Sequence, residues 1–445
     1  MSTAMKQMTE VAEKLVAYGR KGGAAEIEVG IRTSNDFSVQ VFNGELEKLT
    51  EAGSKNLAIR VFVEGKQATA ASSDFSPETL HRLVDNAITR ARLGGSDPFA
   101  GLPEAEKLSN GEGQLKLYDP LVLTLAPEKK IAIARELEAI GLKDKRIRKS
   151  TGASFDSGES LIVLVNSKGF SGAYRRTGVS CGVGFEAGSG DNLQQDYWFD
   201  GGISLAGLMP VEAIAKKAVE RTARMIGARK VETQNVTLVT DPQMSGRLLG
   251  FLSQCIAGAS VARRQTFLAE KVGQRIGNEQ VNIVDDGLIP SGRRSRPFDS
   301  EGVPCRRSTF VDKGILQGFV LNTYFARKLK MSSTGHAGGL TNFYWEPGTS
   351  TPESIVKSVD KGLLLTGVMG QGTVPTTGDI SLGASGLWIE KGEIVFPVAE
   401  ITISGNLADL LMNVEMVGND VDLAHGINAP TIKFKQISVG GTAKA

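Results

Sequence analysis

The sequence predicts an α+β protein. Helices packed on a mostly antiparallel sheet occupy residues 1–232, and a β-rich, barrel-like region with one buried central helix occupies residues 233–445. Three observations carry this. Apolar residues first recur at helical spacing (Met5, Met8, Val11, Ala12, Leu15, Val16) and then switch to a period of two (Ile27, Val29, Ile31; Phe37, Val39, Val41; Leu57, Ile59, Val61, Val63), as half-buried strands require. Asn43-Gly44 and Glu64-Gly65 supply hairpin turns between the strands. The stretch GRLLGFLSQCIAGASVARR, Gly246 to Arg264, carries no charge from Leu248 to Ala262, which a helix buried nearly all round demands.

The first helix stops at Gly19, Gly22 and Gly23, and Ser76-Pro77-Glu78 opens a second with Leu80, Leu83, Val84, Ala87 and Ile88 inward. The Gly-, Pro- and Ser-rich run GGSDPFAGLPEAEKLSNGEG reads as a surface connection. Pro127 begins a helix through about Leu142, residues 146 to 198 alternate as strands around Asn166-Ser167-Lys168-Gly169, and a helix from Pro210 to Ile226 closes this half. Beyond the central helix, expected over 244–262 after the strand Val236–Val239, the runs GILQGFVLNTYFARKL, GLWIEKGEIVFPVAEITISGNL and PTIKFKQISVGG read as short strands.

Composition narrows the function. Lys+Arg of 51 against Asp+Glu of 49 leaves no global charge to attract nucleic acid or an anionic membrane. No run reaches the roughly 20 apolar residues of a membrane span, and Lys6, Glu10, Glu13 and Lys14 interrupt any apolar signal core. Cys181, Cys255 and Cys305 are odd in number, far apart and form no CxxC, which excludes a disulfide framework or a thiolate zinc cage. A cytoplasmic protein is expected.

At about 100° per residue, positions 250, 251, 254, 255 and 258 share an arc of about 140°. They are Gly, Phe, Gln, Cys and Gly. Metal-assisted hydrolysis needs imidazole or carboxylate ligands and a carboxylate base, and that face has neither.

The quoted helix resembles the central helix of the TldD/PmbA family, the "modulator of DNA gyrase" peptidases. The resemblance spans nearly the whole chain, through PFDSEGVPCRRSTFVDKGIL, ARKLKMSSTGHAGGLTN, MGQGTVPTTGDIS, PVAEITISGNL, MVGND and the closing VGG. In the catalytic TldD subunit this helix carries His-Glu-x-x-x-His and a later Glu, and zinc. Aligned on the shared Gly-x-Leu-Leu start and Arg-Arg end, the first His falls on Gly250, the Glu on Phe251, the second His on Cys255 and the later Glu on Gly258. The cysteine ligand some TldD subunits carry near the C-terminus has no counterpart in DLAHGINAPTIKF, where His425 is the nearest candidate.

This pattern matches the PmbA/TldE branch. It implies a subunit of a cytosolic TldD/TldE metallopeptidase acting on peptides or unfolded segments, with no catalytic residue and no metal of its own. The zinc sits in a TldD-like partner, and this chain forms a homodimer when alone. The alternatives are a homodimeric peptide-binding or scaffold protein, and a hydrolase with a non-metal nucleophile such as Cys255 or Ser358.

Other motifs are weaker. His336 and Asn342, in STGHAGGLTNF, are candidates to line a peptide cleft, against a histidine hydrogen-bonded within its own tight loop. His81 lies beside an apolar helix stripe and reads as structural, and MGQG (369–372) lacks the Lys-Ser/Thr of a phosphate loop and reads as a turn. Ser358 and Lys361 fit Ser-x-x-Lys by chance spacing in a helix. Arg293, Arg294, Arg296, Arg306 and Arg307 form a basic patch suited to an acidic peptide or partner. Nearby acids and the absence of interleaved aromatics argue against nucleic acid.

Overall fold

The structure, a computed structural model, describes residues 3–105, 108, 115–190, 192–423 and 426–442. The chain opens with helix α1 (Thr3–Lys21), strands β1 (Glu26–Phe42), β2 (Glu45–Val63) and β3 (Lys66–Ser72), and helices α2 (Pro77–Leu93), α3 (Leu121–Thr124) and α4 (Pro127–Gly141). Strands β4 (Ile147–Asn166), β5 (Ser171–Ala187) and β6 (Gln194–Gly202) and helix α5 (Val211–Ala223) follow. The strands form one sheet, β3-β2-β1-β4-β5-β6, with every pairing antiparallel. Asn43-Gly44 and Glu64-Gly65 have positive φ at both residues (52° and 76°; 50° and 73°), the turn whose twist matches that of the flanking strands.

The period-two reading was right about faces and short about lengths. Ile27–Ile31 and Phe37–Val41 are one strand, because the polar stretch between them stays in ladder register with β2 and β4. Odd-numbered residues of β1 therefore face one side throughout. Ile27, Val29 and Ile31 pack under α1 and α2, while Phe37, Val39 and Val41 join Phe155, Val183 and Phe185 under α4 and α5. A Cβ at Gly141 would lie 2.0 Å from Phe185, so α4 can sit this close to the sheet only with glycine there. The opposite face of the sheet turns Glu28, Arg32, Asp36 and Ser38 toward the C-terminal half or into a cleft beside it.

That half contains β7 (Gln234–Thr240), α6 (Pro242–Cys255), α7 (Gly258–Ala262), β8 (Ile283–Asp286), β9 (Arg307–Asp312), β10 (Ile315–Leu316), α8 (Thr323–Lys328), β11 (Phe343–Trp345) and α9 (Pro352–Lys357). It ends with β12 (Lys361–Met369), β13 (Thr373–Val374), β14 (Asp379–Glu390), β15 (Glu393–Asn406), α10 (Leu407–Met412), β16 (Val414–Val417), β17 (Ile427–Asn428) and β18 (Ile432–Gly440). Strands β12, β7, β18, β15 and β14 pair in a ring that the β12–β14 pairing closes into a barrel. A second sheet, β10-β9-β8-β11-β17, lies beside it.

The two halves meet through an apolar cluster, Phe298 against Leu164, Phe170 and Tyr174, and through polar contacts. Arg60 bridges Glu28 (3.2 Å) on the N-terminal sheet and Glu301 (3.4 Å), whose second oxygen accepts from the Thr323 amide (2.9 Å). Tyr324 donates to Asp97, and Arg327 to the carbonyls of Phe99 and Leu102. One guanidinium thus serves two buried carboxylates. Burial pushes Glu28 up from 4.5 to about 7 against the pull of Arg60, with Glu301 and Asp299 adding repulsion.

A carboxyl whose folded pKa exceeds its unfolded value contributes stability that is full below 4.5 and lost as pH rises through about 7. Replacing Glu28 by Gln keeps the shape and removes the surplus charge. Chemical denaturation at about pH 5 and about pH 8 should show E28Q more stable than wild type at the higher pH by on the order of 1–3 kcal/mol, with little difference at the lower.

Candidate functional site

Asp241 caps α6 by accepting from the Met244 amide (2.9 Å), and Pro242 occupies its first turn. Met244, Leu249, Phe251, Leu252 and Cys255 are buried in the core that the barrel and the second sheet share. The expected single helix over 244–262 is two helices. The chain leaves α6 after Cys255, Ala257 is extended (ψ 133°), and α7 starts at Gly258. The cause is a parallel bridge between Ala257 and Val320, with Gly258 N–H donating to Val320 C=O (3.0 Å) and Val320 N–H to Ile256 C=O (2.9 Å). Position 258 therefore does not share the helical face of 250, 251 and 255.

This separates two reasons for glycine. A Cβ at Gly258 would lie 2.9–3.0 Å from Leu321, Phe325 and the Val320 oxygen, so close packing accounts for it. At Gly250 the nearest atom to a Cβ is Ile427 Cδ1 at 3.8 Å, so a larger side chain has room. Packing thus explains one glycine, and the other would accept at least a methyl group without a clash. Phe251 is a core side chain and Cys255 is fully buried, its thiol pushed to about 11 by burial despite a hydrogen bond from Thr266.

Gly250, Phe251 and Gly258 offer no donor atom, and a lone buried thiol does not hold a metal. The residues at the positions that the resemblance aligns with the catalytic branch's ligands do not make a set that fits zinc. Among the described residues no group of three or more His, Cys, Asp or Glu is placed to hold an ion. His425 lies outside the described residues.

The remaining candidates sort by contact. His336 and Asn342 do not line a cleft: both are buried with their polar atoms used internally. His336 bridges Asp285 (2.9 Å) and Thr334 (3.0 Å), and Asp285 also accepts from the Thr341 amide (2.8 Å) and hydroxyl. Asn342 accepts from the Arg294 amide (3.0 Å) and donates to Asp286 C=O (2.7 Å) and Ser295 (2.8 Å). Its role is to pin the loop 287–300, whose far end Asp299 holds through the Ala337, Glu301 and Val303 amides.

Lys361 stands 5.9 Å from the Trp388 ring centre, and the ammonium near Ser358 is that of Lys433 (3.1 Å). Lys433 ion-pairs with Glu415 (3.1 Å), and Ser358 itself donates to Ile355 C=O (2.7 Å). The MGQG run turns between β12 and β13, with Gly370 at φ 91°, and His81 stacks on Tyr18 at 4.1 Å.

The basic patch divides. Arg307 pairs with Glu346, and Arg306 and Arg296 donate to the carbonyls of Ser333 and Gly339. Arg293 and Arg294 instead enter a cleft of about 510 Å³ between loop 287–300 and the polar face of the N-terminal sheet, joined there by Arg32 of β1 and Arg176 of β5. Arg176 donates to the Arg293 carbonyl across it. Burial lowers the Arg176 pKa against attraction from Tyr174, and Arg32, Arg293 and Arg294 lower it further. Sequence reasoning missed Arg32 and Arg176. Arg32 was signalled by the apolar alternation Ile27, Val29, Ile31 that leaves it on the outward face, whereas Arg176, flanked by Arg175 and Thr177, carried no such signal. A second cavity, of about 670 Å³, opens at the start of α6 between Trp198, Arg221, Arg247, Asp420 and Ile427.

Three family models match in succession. They are PmbA/TldA metallopeptidase domain 1 over residues 27–91, the central domain over 121–226 and the C-terminal domain over 233–441. These define a chain of metallopeptidase architecture. It is 34% identical to metalloprotease PmbA of Escherichia coli O157:H7 over 96% of this chain and 94% of that one. A candidate modulator of DNA gyrase from Bacteroides thetaiotaomicron superimposes with a TM-score of 0.92 at 28% identity, covering 97% of this chain and 98% of the other. TldE of Thermococcus kodakarensis shares the fold, with a TM-score of 0.87 at 23% identity over 97% of this chain and 100% of that one. The chain belongs to the PmbA/TldD metallopeptidase family.

The two glycines should respond in opposite directions. Gly250→Ala is expected to raise unfolding free energy by about 0.5–1 kcal/mol through helix propensity. Gly258→Ala is expected to lower it by about 1–3 kcal/mol, because Val320 and α8 must move. Urea melts of the two variants beside wild type provide the check.

Proposed function

We propose that this chain is the PmbA/TldE-type, non-catalytic subunit of a TldD/TldE metallopeptidase that acts on peptides or unfolded segments. Its units would be residues 1–232 and 233–445. The observation that carries this is the content of α6: at the positions where the catalytic branch has ligands and base, this chain has Gly250, Phe251, Cys255 and Gly258. A relative named metalloprotease PmbA and the fold shared with TldE support the assignment.

In this reading the TldD-like partner supplies zinc and activates water. This chain supplies surface and strand edges against which an extended peptide is held. Asn342 and His336 act by fixing loop 287–300 and its supporting turn, not by touching the peptide. No helix is long and apolar enough to cross a membrane among the described residues, and we place the complex in the cytoplasm. Without the partner, two copies pair through the surface meant for it.

Mixing this chain with its cognate TldD-type subunit tests the proposal. A stable heteromeric complex is expected by size-exclusion chromatography with light scattering, and an unfolded casein should be cleaved by the mixture but not by this chain. Metal-dependent cleavage by the isolated chain, or failure of the two chains to associate, would overturn it.

A further inference from the structure

The cleft between the N-terminal sheet and loop 287–300 is built in a way the proposed function does not require. On its floor, β1, β4 and β5 run side by side, with Arg32 opposite Ile162 and Arg176 opposite Ser160. Gly178, next along the same face of β5, presents open space: a Cβ there meets nothing within 4 Å. The wall is loop 287–300, held in its middle by Asn342, which bonds the Arg294 amide and the Ser295 hydroxyl, and at its far end by Asp299, so Arg293 and Arg294 are presented on a fixed edge. Four guanidinium groups from three separate segments thus converge on one cavity of about 510 Å³. Among the described residues, Arg32, Arg176 and Arg294 form no salt bridge with any carboxylate. Three acids also reach the cleft, and each accepts from a neutral group: Asp36 and Asp156 from the hydroxyls of Ser34 and Ser38, and Glu159 from the Asn35 amide.

We propose that this arginine-lined cleft binds the side-chain carboxylates of an acidic peptide segment, giving the subunit a substrate preference of its own. A guanidinium presents paired donors that match a carboxylate, and a partly desolvated cluster of them binds anions better than lysines on an open surface. A cavity of this size takes a few peptide residues. Single-stranded nucleic acid would need aromatic faces for its bases, and the one aromatic residue at this cleft, Phe37, is buried in the core beneath the sheet. The peptide nature of the occupant rests on the proposed function, whereas the anion chemistry rests on the cleft alone.

The test uses this chain without any partner, so its outcome is separable from the question of heteromer formation. Fluorescence anisotropy would compare labelled tetraglutamate and tetraglutamine peptides, with inorganic phosphate and a short single-stranded oligonucleotide as competitors. The acidic peptide should bind at least about tenfold more tightly than the neutral one, and more weakly as salt rises. The double variant R32Q/R294Q, at two exposed positions, should lose about tenfold or more in affinity while melting like wild type. Gly178→Glu, which places a carboxylate on the open floor, should abolish binding independently. Equal affinity for the two peptides, unchanged affinity in these variants, or tighter binding of the oligonucleotide or of phosphate alone would overturn the proposal.

Discussion

The C-terminal half depends on helix α6, one side of which (Met244, Leu249, Phe251, Leu252, Cys255) is buried in the core without a charge, while Arg247 and Gln254 face outward. A carboxylate or imidazolium on that face of α6 is tolerable only opposite a cation or a metal, because an unpaired buried charge costs several kcal/mol. Ligands and metal are therefore kept or lost together. In this chain positions 250, 251 and 255 share one face of α6 and hold no imidazole or carboxylate. Phe251 is part of the core, Cys255 is fully buried, and a Cβ at Gly250 would meet Ile427 Cδ1 at 3.8 Å. Gly258 belongs to another constraint, the approach of Val320 that splits the helix.

A second constraint shapes the surface that remains. Loop 287–300 has one buried apolar anchor, Phe298 against Leu164, Phe170 and Tyr174, and is otherwise held in place by buried carboxylates and an amide. Asp285 gathers His336 and Thr341, Asp299 gathers three backbone amides, and Asn342 gathers Arg294, Ser295 and Asp286. Satisfied polar networks of this kind fix one conformation where apolar packing would allow several. The result is a rigid edge facing a flat, glycine-interrupted sheet, and the cleft between them joins the two halves of the chain.

Much of this was legible from residues alone. The α+β class and the hairpin turns at Asn43-Gly44 and Glu64-Gly65 followed from local periodicity and turn chemistry, and the family from long motifs in order. Strand length was not legible, because the exposed outer half of β2, Glu45 to Asn56, alternates nothing against a core. Nor was the helix break at Ile256-Ala257, where a single bridge to Val320, sixty-odd residues away, leaves no local signal. Asn342 and His336 looked like cleft residues because polar side chains in a glycine-rich loop often are. Only tertiary partners distant in sequence, Asp285 and Arg294, reveal that they work behind the surface. Arg32 and Arg176 reach the cleft together only through strand register.

The account's central claim is that the family's metal position has been emptied in this chain. Elemental analysis measures it most directly, with the protein expressed in zinc-supplemented medium, purified without chelator and counted for zinc per chain. The account predicts well below about 0.1 zinc per chain, unaffected by replacing Cys255 with Ser. Stoichiometric zinc that survives dialysis and is lost in that variant would contradict it.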